Sequence, residues 1–228
     1  MMGRSHVIVA GAGYLTLAGT APGTLGHLPR TQLAAGVVCA GAASLLPDLD
    51  CPGSTVARAL GPLTDLLARL MSIVAGGHTN GTHSLLAWLG VSVGLTVALA
   101  GGHGSTAALI VCVLACALML RVIAGVGGIA CAMLALGAGV VLVAGVGRVD
   151  RWMPAAVLIG YGSHLLGDLV TVEGVPLLWP LSARRQGVVL IGATDDRREH
   201  LMCLGAGALG AYLALTLIAV PALAAAAK

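Results

Sequence analysis

The sequence predicts an all-α, polytopic integral membrane helix bundle, and three observations predict it. Hydrophobic residues make up 58% of the 228 positions and charged residues only 9%, too few to clothe a soluble domain. Mean hydropathy is +0.99. Apolar stretches approaching membrane length alternate with short breaks rich in glycine and proline. The 34 glycines suit close helix packing in lipid, but a biased genome also enriches glycine, so no contact is assigned from them. The net charge of +3 is spread along the chain, with no basic stripe or aromatic platform, which excludes nucleic acid as a partner. The six cysteines form no Cys-x-x-Cys pair and mostly sit inside apolar runs as small hydrophobes, so neither a disulfide framework nor a thiolate metal site is implied.

In chain order, the first apolar segment covers residues 7–20 and stops at Ala21-Pro22-Gly23. Arg4, this run and the small residues after it also resemble a signal peptide, but cleavage would discard His6, and a helix here completes the topology. The second segment, 31–46, ends at Pro47-Asp-Leu-Asp-Cys-Pro-Gly53, where two prolines forbid a continuing helix. Residues 54–76 mix Arg58, Asp65 and Arg69 with leucines, the pattern of an amphipathic interfacial helix. A glycine-rich loop holding His78 and His83 follows. Segments 85–100, 106–123, 128–146, 154–170 and 201–220 complete about seven crossings in one membrane domain, 1–228, with a polar loop at 171–200.

Parity gives this count a consequence. If every segment crosses, His6, Asp48, Asp50, His78, His83, His164, Asp168 and His200 fall at one face, and His27 and His103 at the other. Arg4, Arg58, Arg69, Arg121, Arg184, Arg185, Arg197 and Arg198, eight of the twelve basic residues, share the first face. The positive-inside rule therefore makes that face, and the 171–200 loop with it, cytoplasmic, with the N-terminus in and the C-terminus out.

His164 and Asp168 lie four residues apart inside an apolar run, one turn apart on one helix face, so both reach a single ion. An ionisable pair in a membrane helix is a functional hypothesis by default. Its alternative is a satisfied polar pair packed between helices. Asp-x-Asp in a turn offers two carboxylates to one ion or bridges two, and a glycine-rich loop lets His78 and His83 bend toward the same point. Singly each is weak, since a loop histidine is usually just solvated and a Pro-Asp turn usually a local cap. The helix that starts after Ser84 aims its positive end at this face and favours an anionic group there.

The segments Leu45-Leu-Pro-Asp-Leu-Asp50, His78-x4-His83-Ser-Leu-Leu86 and Gly160-Tyr-Gly-Ser-His-Leu-Leu-Gly-Asp168, followed by Gly174-Val-Pro-Leu-Leu-Trp-Pro180, occur in the order of a known family. They resemble the YdjM-like family of bacterial inner-membrane metal-dependent hydrolases. The resemblance runs from His6 to about Trp179. It implies a metal site built from His6, Asp48, Asp50, His78, His83, His164 and Asp168. The chain departs from the family pattern twice, with Cys51 where the family has a histidine before the proline and Thr79 where it has an arginine. One departure removes a possible ligand or acid, the other a phosphate contact.

These readings converge on a metal-dependent hydrolase with a cytoplasm-facing site, holding one or two divalent ions. Mixed imidazole and carboxylate ligands suit zinc or manganese better than magnesium. Asp168 or Asp50 serves as general base if it is not a ligand. A site at headgroup level points to a phosphate ester or lipid-linked substrate. The alternatives are a divalent-metal binding or transport protein, and a non-catalytic membrane scaffold; the scarcity of polar residues in segments three to five speaks against transport. The 174–180 stretch reads as stiff support for the site, and Arg184-Arg185 and 195–200 as solvated charge. The topology has a direct check in thiol labelling of intact cells. Cys51 is expected to be protected from an impermeant external reagent, and a Gly102→Cys variant labelled by it; external labelling of Cys51 would sink the shared face.

Overall fold

A computed structural model describes residues 1–21, 25, 27–77, 79–102 and 104–226 of the chain. His78, His103 and the Pro22-Gly23 breaker lie outside the described residues. The elements are α1 (Gly3–Thr20), α2 (Arg30–Ala43), α3 (Pro62–Val74), α4 (Leu85–Ala100), α5 (Gly104–Ala124), α6 (Gly128–Val146), α7 (Met153–Leu169), α8 (Arg197–Ala214) and α9 (Val220–Ala226). A π-helical turn, Leu215–Ala219, joins the last two. No strand occurs among the described residues, only an isolated antiparallel bridge between Val175 and Gln186.

Four helical stretches are long and apolar enough to cross a membrane: Arg30–Asp50, Gly104–Ala124, Gly128–Val146 and Arg197–Ala226. α4 and α7 are shorter, 16 and 17 residues, and α1 carries Arg4 and His6. α2 is the central post, packed against α1, α5 and α7, with α8 covering α1 and α6 covering α5. The start of α1 lies with the end of α2 and the start of α8, the antiparallel placement the parity argument requires. At one end Gln32 Nε2, near the start of α2, donates to the carbonyls of Val146 and Gly147 at the end of α6.

Leucines and valines on α4, α6 and α8, and Ile110 and Ile123 on α5, point outward, the arrangement of a bundle whose solvent is hydrocarbon. With no water between helices to expel, close backbone approach holds such a bundle together. The crossing of α2 and α7 shows the constraint: a Cβ at Gly160 would lie 2.1 Å from the carbonyl oxygen of Ala40. Only glycine fits there.

The expected amphipathic helix over 54–76 is shorter, covering Pro62–Val74. The Ser54 hydroxyl does accept from the amide of Ala57, but the turns it opens end at Gly61, whose φ of +68 breaks the chain direction before Pro62 takes the first helical position. Thr64 and Ala68 face the protein, while Leu63, Leu66, Leu70 and Ile73 are between 53% and 77% exposed. A helix that turns its apolar side away from the protein is a helix suited to the lipid interface. Asp65 anchors it, bonding Arg69 Nε at 3.0 Å and the amide of Gly53 at 3.2 Å.

The α2–α7 crossing can be tested by two glycine substitutions. Gly160→Ala is expected to destabilise by about 1–3 kcal/mol through overpacking, a fall of roughly 2–12 °C in Tm for a chain of this size. Gly94→Ala, whose added methyl meets nothing within 4 Å, is expected to leave Tm unchanged in the same detergent.

Candidate metal centre

Four elements end together at one pole of the bundle: the start of α1, the turn after α2, the loop before α4 and the last turns of α7. Each brings one part of a His/Asp cluster. The 3-10 turn Pro47–Asp50 prolongs α2 and carries Asp48 and Asp50. The 3-10 turn Gly81–His83 presents His83 just before Ser84, whose hydroxyl caps α4 by accepting from the amide of Ala87 at 3.1 Å.

Among the described residues two groups of ligand-type atoms result, sharing His164: His6, His164 and Asp168, and Asp48, His83 and His164. Nε2 of His164 lies 3.2 Å from Asp168 Oδ2, 3.7 Å from Asp48 Oδ1 and 3.2 Å from Nε2 of His83. His83 Nε2 is 3.8 Å from both carboxylates. The ring of His6 stacks on that of His164, centroids 3.8 Å apart, with Nε2 3.3 Å from Asp168 Oδ1. Gly167 makes this stacking possible, because a Cβ there would meet His6 Cε1 at 3.1 Å. The three imidazoles are 1% exposed or less, whereas Asp48 is 27% and Asp168 17% exposed, so the cluster opens on its carboxylate side.

Hydrogen bonds fix which nitrogen each ring turns inward. The carbonyl of Ser44, to which Pro47 three residues on offers no N–H, lies 2.6 Å from His164 Nδ1. A carbonyl only accepts, so Nδ1 carries the proton and Nε2 turns a lone pair to the cluster. The hydroxyl of Thr82 donates to Asp50 Oδ2 and therefore accepts from His83 Nδ1, 3.1 Å away, which puts the ring proton on Nδ1 and turns a lone pair of His83 Nε2 to the cluster as well. Tyr161 of α7 donates to the Thr82 carbonyl and holds the turn in place. Two facing lone pairs with two carboxylates around them require a proton or a cation between them. Among the described residues neither buried nitrogen of His6 makes a well-aligned hydrogen bond, Nε2 facing only the Asp168 carboxylate at 3.3 Å, a second sign that the donor set fits a metal ion. Burial first, and then His164, push the His83 pKa down to about 4 against the pull of Asp48, Asp50 and Asp168, so the ring is neutral, as a ligand must be.

Of the residues singled out from the sequence, His6, Asp48, His83, His164 and Asp168 are brought together. Asp50 is adjacent but stands behind His83: fully buried, it accepts from the amide of Thr79 at 3.2 Å and from Thr82. His78 falls outside the described residues. His27 and His200 are exposed, and His200 is 3.4 Å from Asp195. The 174–180 stretch does support the site. Trp179 lies over Gly81, whose Cβ it would meet at 3.0 Å, and Leu177 accepts from the amide of Leu85 at the head of α4.

Sequence reasoning missed Ser44, Thr82 and Tyr161, ordinary residues whose role depends on which ring they touch. It also misjudged Glu199 as solvated charge. Its carboxylate is buried, accepting from the amides of Met2 at 2.7 Å and Asp195 at 2.9 Å, and so ties the start of α1 to that of α8. Arg185, too, is more than solvated: its guanidinium donates to the Thr79 hydroxyl and the Gly174 carbonyl, which sets a cation beside position 79.

Fold and site together define a multi-pass membrane protein with a His/carboxylate cluster, of metal-ligand type, at one end of its bundle. The family model of the YdjM inner membrane protein matches residues 1–227, and the chain belongs to that family. A stretch of 47 residues, 21% of the chain, is 38% identical to inner membrane protein YdjM of Escherichia coli (strain K12), and to the same extent to that of Shigella flexneri. The match spans 24% of those relatives' length. No solved structure matches. The family and its relatives are inner-membrane proteins, which agrees with the several apolar helices found here.

The hydroxyl relay behind His83 yields a testable outcome. Thr82→Val keeps shape but frees the His83 ring, and is expected to weaken zinc affinity about 10–100-fold. His27→Ala is expected to leave affinity unchanged. Competition against a chromophoric chelator measures both.

Proposed function

We propose that the protein is a membrane-bound, metal-dependent hydrolase acting on phosphate esters at the cytoplasmic surface of the inner membrane. The observation that carries the reading is the pair of inward-facing Nε2 atoms of His83 and His164, 3.2 Å apart, each fixed by an acceptor on its other nitrogen and flanked by carboxylates. Such a donor set suits zinc or manganese, as one ion or two. His83, His164 and Asp48 would hold one ion, with His6 stacked on His164 and Asp168 left on the open side of the cluster. All seven helices from α1 to α8, α3 apart, cross in this reading, with the N-terminus cytoplasmic and the C-terminus outside.

When bound, such an ion supplies Lewis acidity to the ester and lowers the pKa of water toward neutrality. The residues of the chain do the rest. Asp168, on the open side of the cluster, takes the proton of the attacking water as its oxygen bonds to phosphorus. The P–O bond to the alcohol then breaks, and the alcohol departs with a proton returned by the same carboxyl group. Asp50 is too deeply buried to do this, and instead orients His83 through Thr82. Arg185, whose partners are neutral oxygens, offers charge to a phosphate from the side of Thr79.

Elemental analysis of the purified protein, joined to a phosphoester screen, tests the reading. The wild-type chain is expected to hold zinc or manganese and His164→Ala to lose most of it. Asp168→Asn is expected to keep the metal and lose about 10²–10⁴-fold in rate if the carboxylate is the base; as a ligand it loses metal as well. If both variants are folded and retain full metal content and activity, the cluster is interior packing and the reading fails.

A further inference from the structure

A groove of about 780 Å³ runs beside the centre, walled by α1 and α8 on one side and by α4 and α7 on the other. Its lining is almost wholly apolar. The few polar groups in it are satisfied within the protein: Thr16 donates to the carbonyl of Ala12, Ser163 to that of Gly160, and Trp88 Nε1 to that of Leu158, each at 2.8 Å. A ligand in the groove therefore meets van der Waals surface and no anchor for a polar group. Leu166, 64% exposed, stands at its rim, so the groove opens sideways toward lipid, not toward water.

Its dimensions and its two ends say what fits. Along α7 the lining extends from Leu158 to Val170, about 18 Å at the rise of an α-helix. One leaflet of a bilayer has a hydrocarbon depth of about 15 Å, so the groove accommodates a lipid chain lying at its normal depth. At the polar end the wall thins to Gly167, beyond which lies the His6 ring. Val9 and Gly13 line the groove on the same stripe of α1 as His6, three and seven residues on. Leu177, at that end, has its amide bound to Gln186, the neighbour of Arg185, and the hydrogen bonds of Arg185 among the described residues go to uncharged oxygens. An apolar slot of one-leaflet depth, ending at a candidate metal centre, with the Arg185 guanidinium held at Thr79 and Gly174, is complementary to a chain with an anionic head.

We propose that the groove is the acyl-chain subsite of the centre and that the substrate is a membrane phospholipid. One chain enters laterally between α1/α8 and α4/α7, and its phosphate is delivered to the His/Asp cluster. The inference rests on the phosphoester reading of that cluster but depends on different residues.

The test uses full-length protein reconstituted in phosphatidylcholine vesicles containing phosphatidic acid with a diazirine at the end of one acyl chain. Illumination and peptide mapping are expected to find the label on groove residues of α1 and α7 distant from the cluster, such as Leu17 and Leu158. Gly13→Trp fills the groove from a position where an added Cβ meets nothing within 4 Å, and is expected to cut this labelling at least ten-fold with zinc content unchanged. Gly90→Trp, equally open but outside the groove, is expected to label as wild type. Labelling spread evenly over α5 and α6, groove labelling undiminished in a folded Gly13→Trp protein, or dimer cross-links in place of lipid adducts would overturn the proposal. A protein that labels as expected but holds no metal would leave the acyl subsite standing and remove the hydrolase reading instead.

Discussion

The contact between His164 Nδ1 and the carbonyl of Ser44 is the interaction on which the rest of the centre depends. It joins the last turns of α7 to the end of the central helix α2, and it decides which nitrogen of His164 faces Asp48, His83 and Asp168. It exists because two local breaks coincide. Pro47 lacks the N–H that Ser44 would otherwise meet in a 3-10 turn, and Gly160, a turn earlier on α7, lets that helix approach the backbone of α2 at Ala40. A buried carbonyl in an apolar bundle must find a donor, and an imidazole in the same bundle must find an acceptor. Each answers the other, and the lone pair of Nε2 is left for the cluster.

The same economy of polar groups governs the periphery. His83 is oriented by Thr82 and, through it, by Asp50; the turn bearing Thr82 is held by Tyr161 and roofed by Trp179. Supporting groups of this kind tune a ligand as much as the ligands themselves do. The departures from the family pattern can be weighed against that geometry. At position 79 the missing arginine is met by Arg185, which reaches the Thr79 hydroxyl from the 171–200 loop. At position 51 the cysteine sits next to Asp50 with its thiol pKa raised, by burial first and then by Asp50 and Asp48, and it does not enter either group of ligands among the described residues.

Lipid as solvent explains why packing and function share the same residues. Gly167 is where the groove, the stacking of His6 on His164 and the approach of α1 to α7 meet, and no larger side chain satisfies all three. α3 shows the other consequence: its leucines face outward because the interface, not the protein, receives them.

The helical class, the polar and apolar runs, the alternation of chain direction and five of the clustered His/Asp residues were legible in the chain. Each follows from local chemistry: apolar length, proline and glycine breaks, and the one-turn spacing of His164 and Asp168. What the chain could not reveal was rank among like residues. Asp48 and Asp50 read identically in a Pro-Asp-Leu-Asp turn, yet a two-residue step around a 3-10 turn aims one carboxylate at the imidazoles and the other at Thr82. Glu199 reads as surface charge and is buried, because α1 and α8 meet over it. The start of α3 moved to Pro62, since a capping serine competes poorly with a glycine at positive φ followed by proline. The groove has no sequence signature, being the gap between four helices whose facing residues are the ordinary apolar residues of any membrane helix. Spacing and composition set what each segment offers; only the crossing of α2 with α7, and of α1 with both, decided which offers meet.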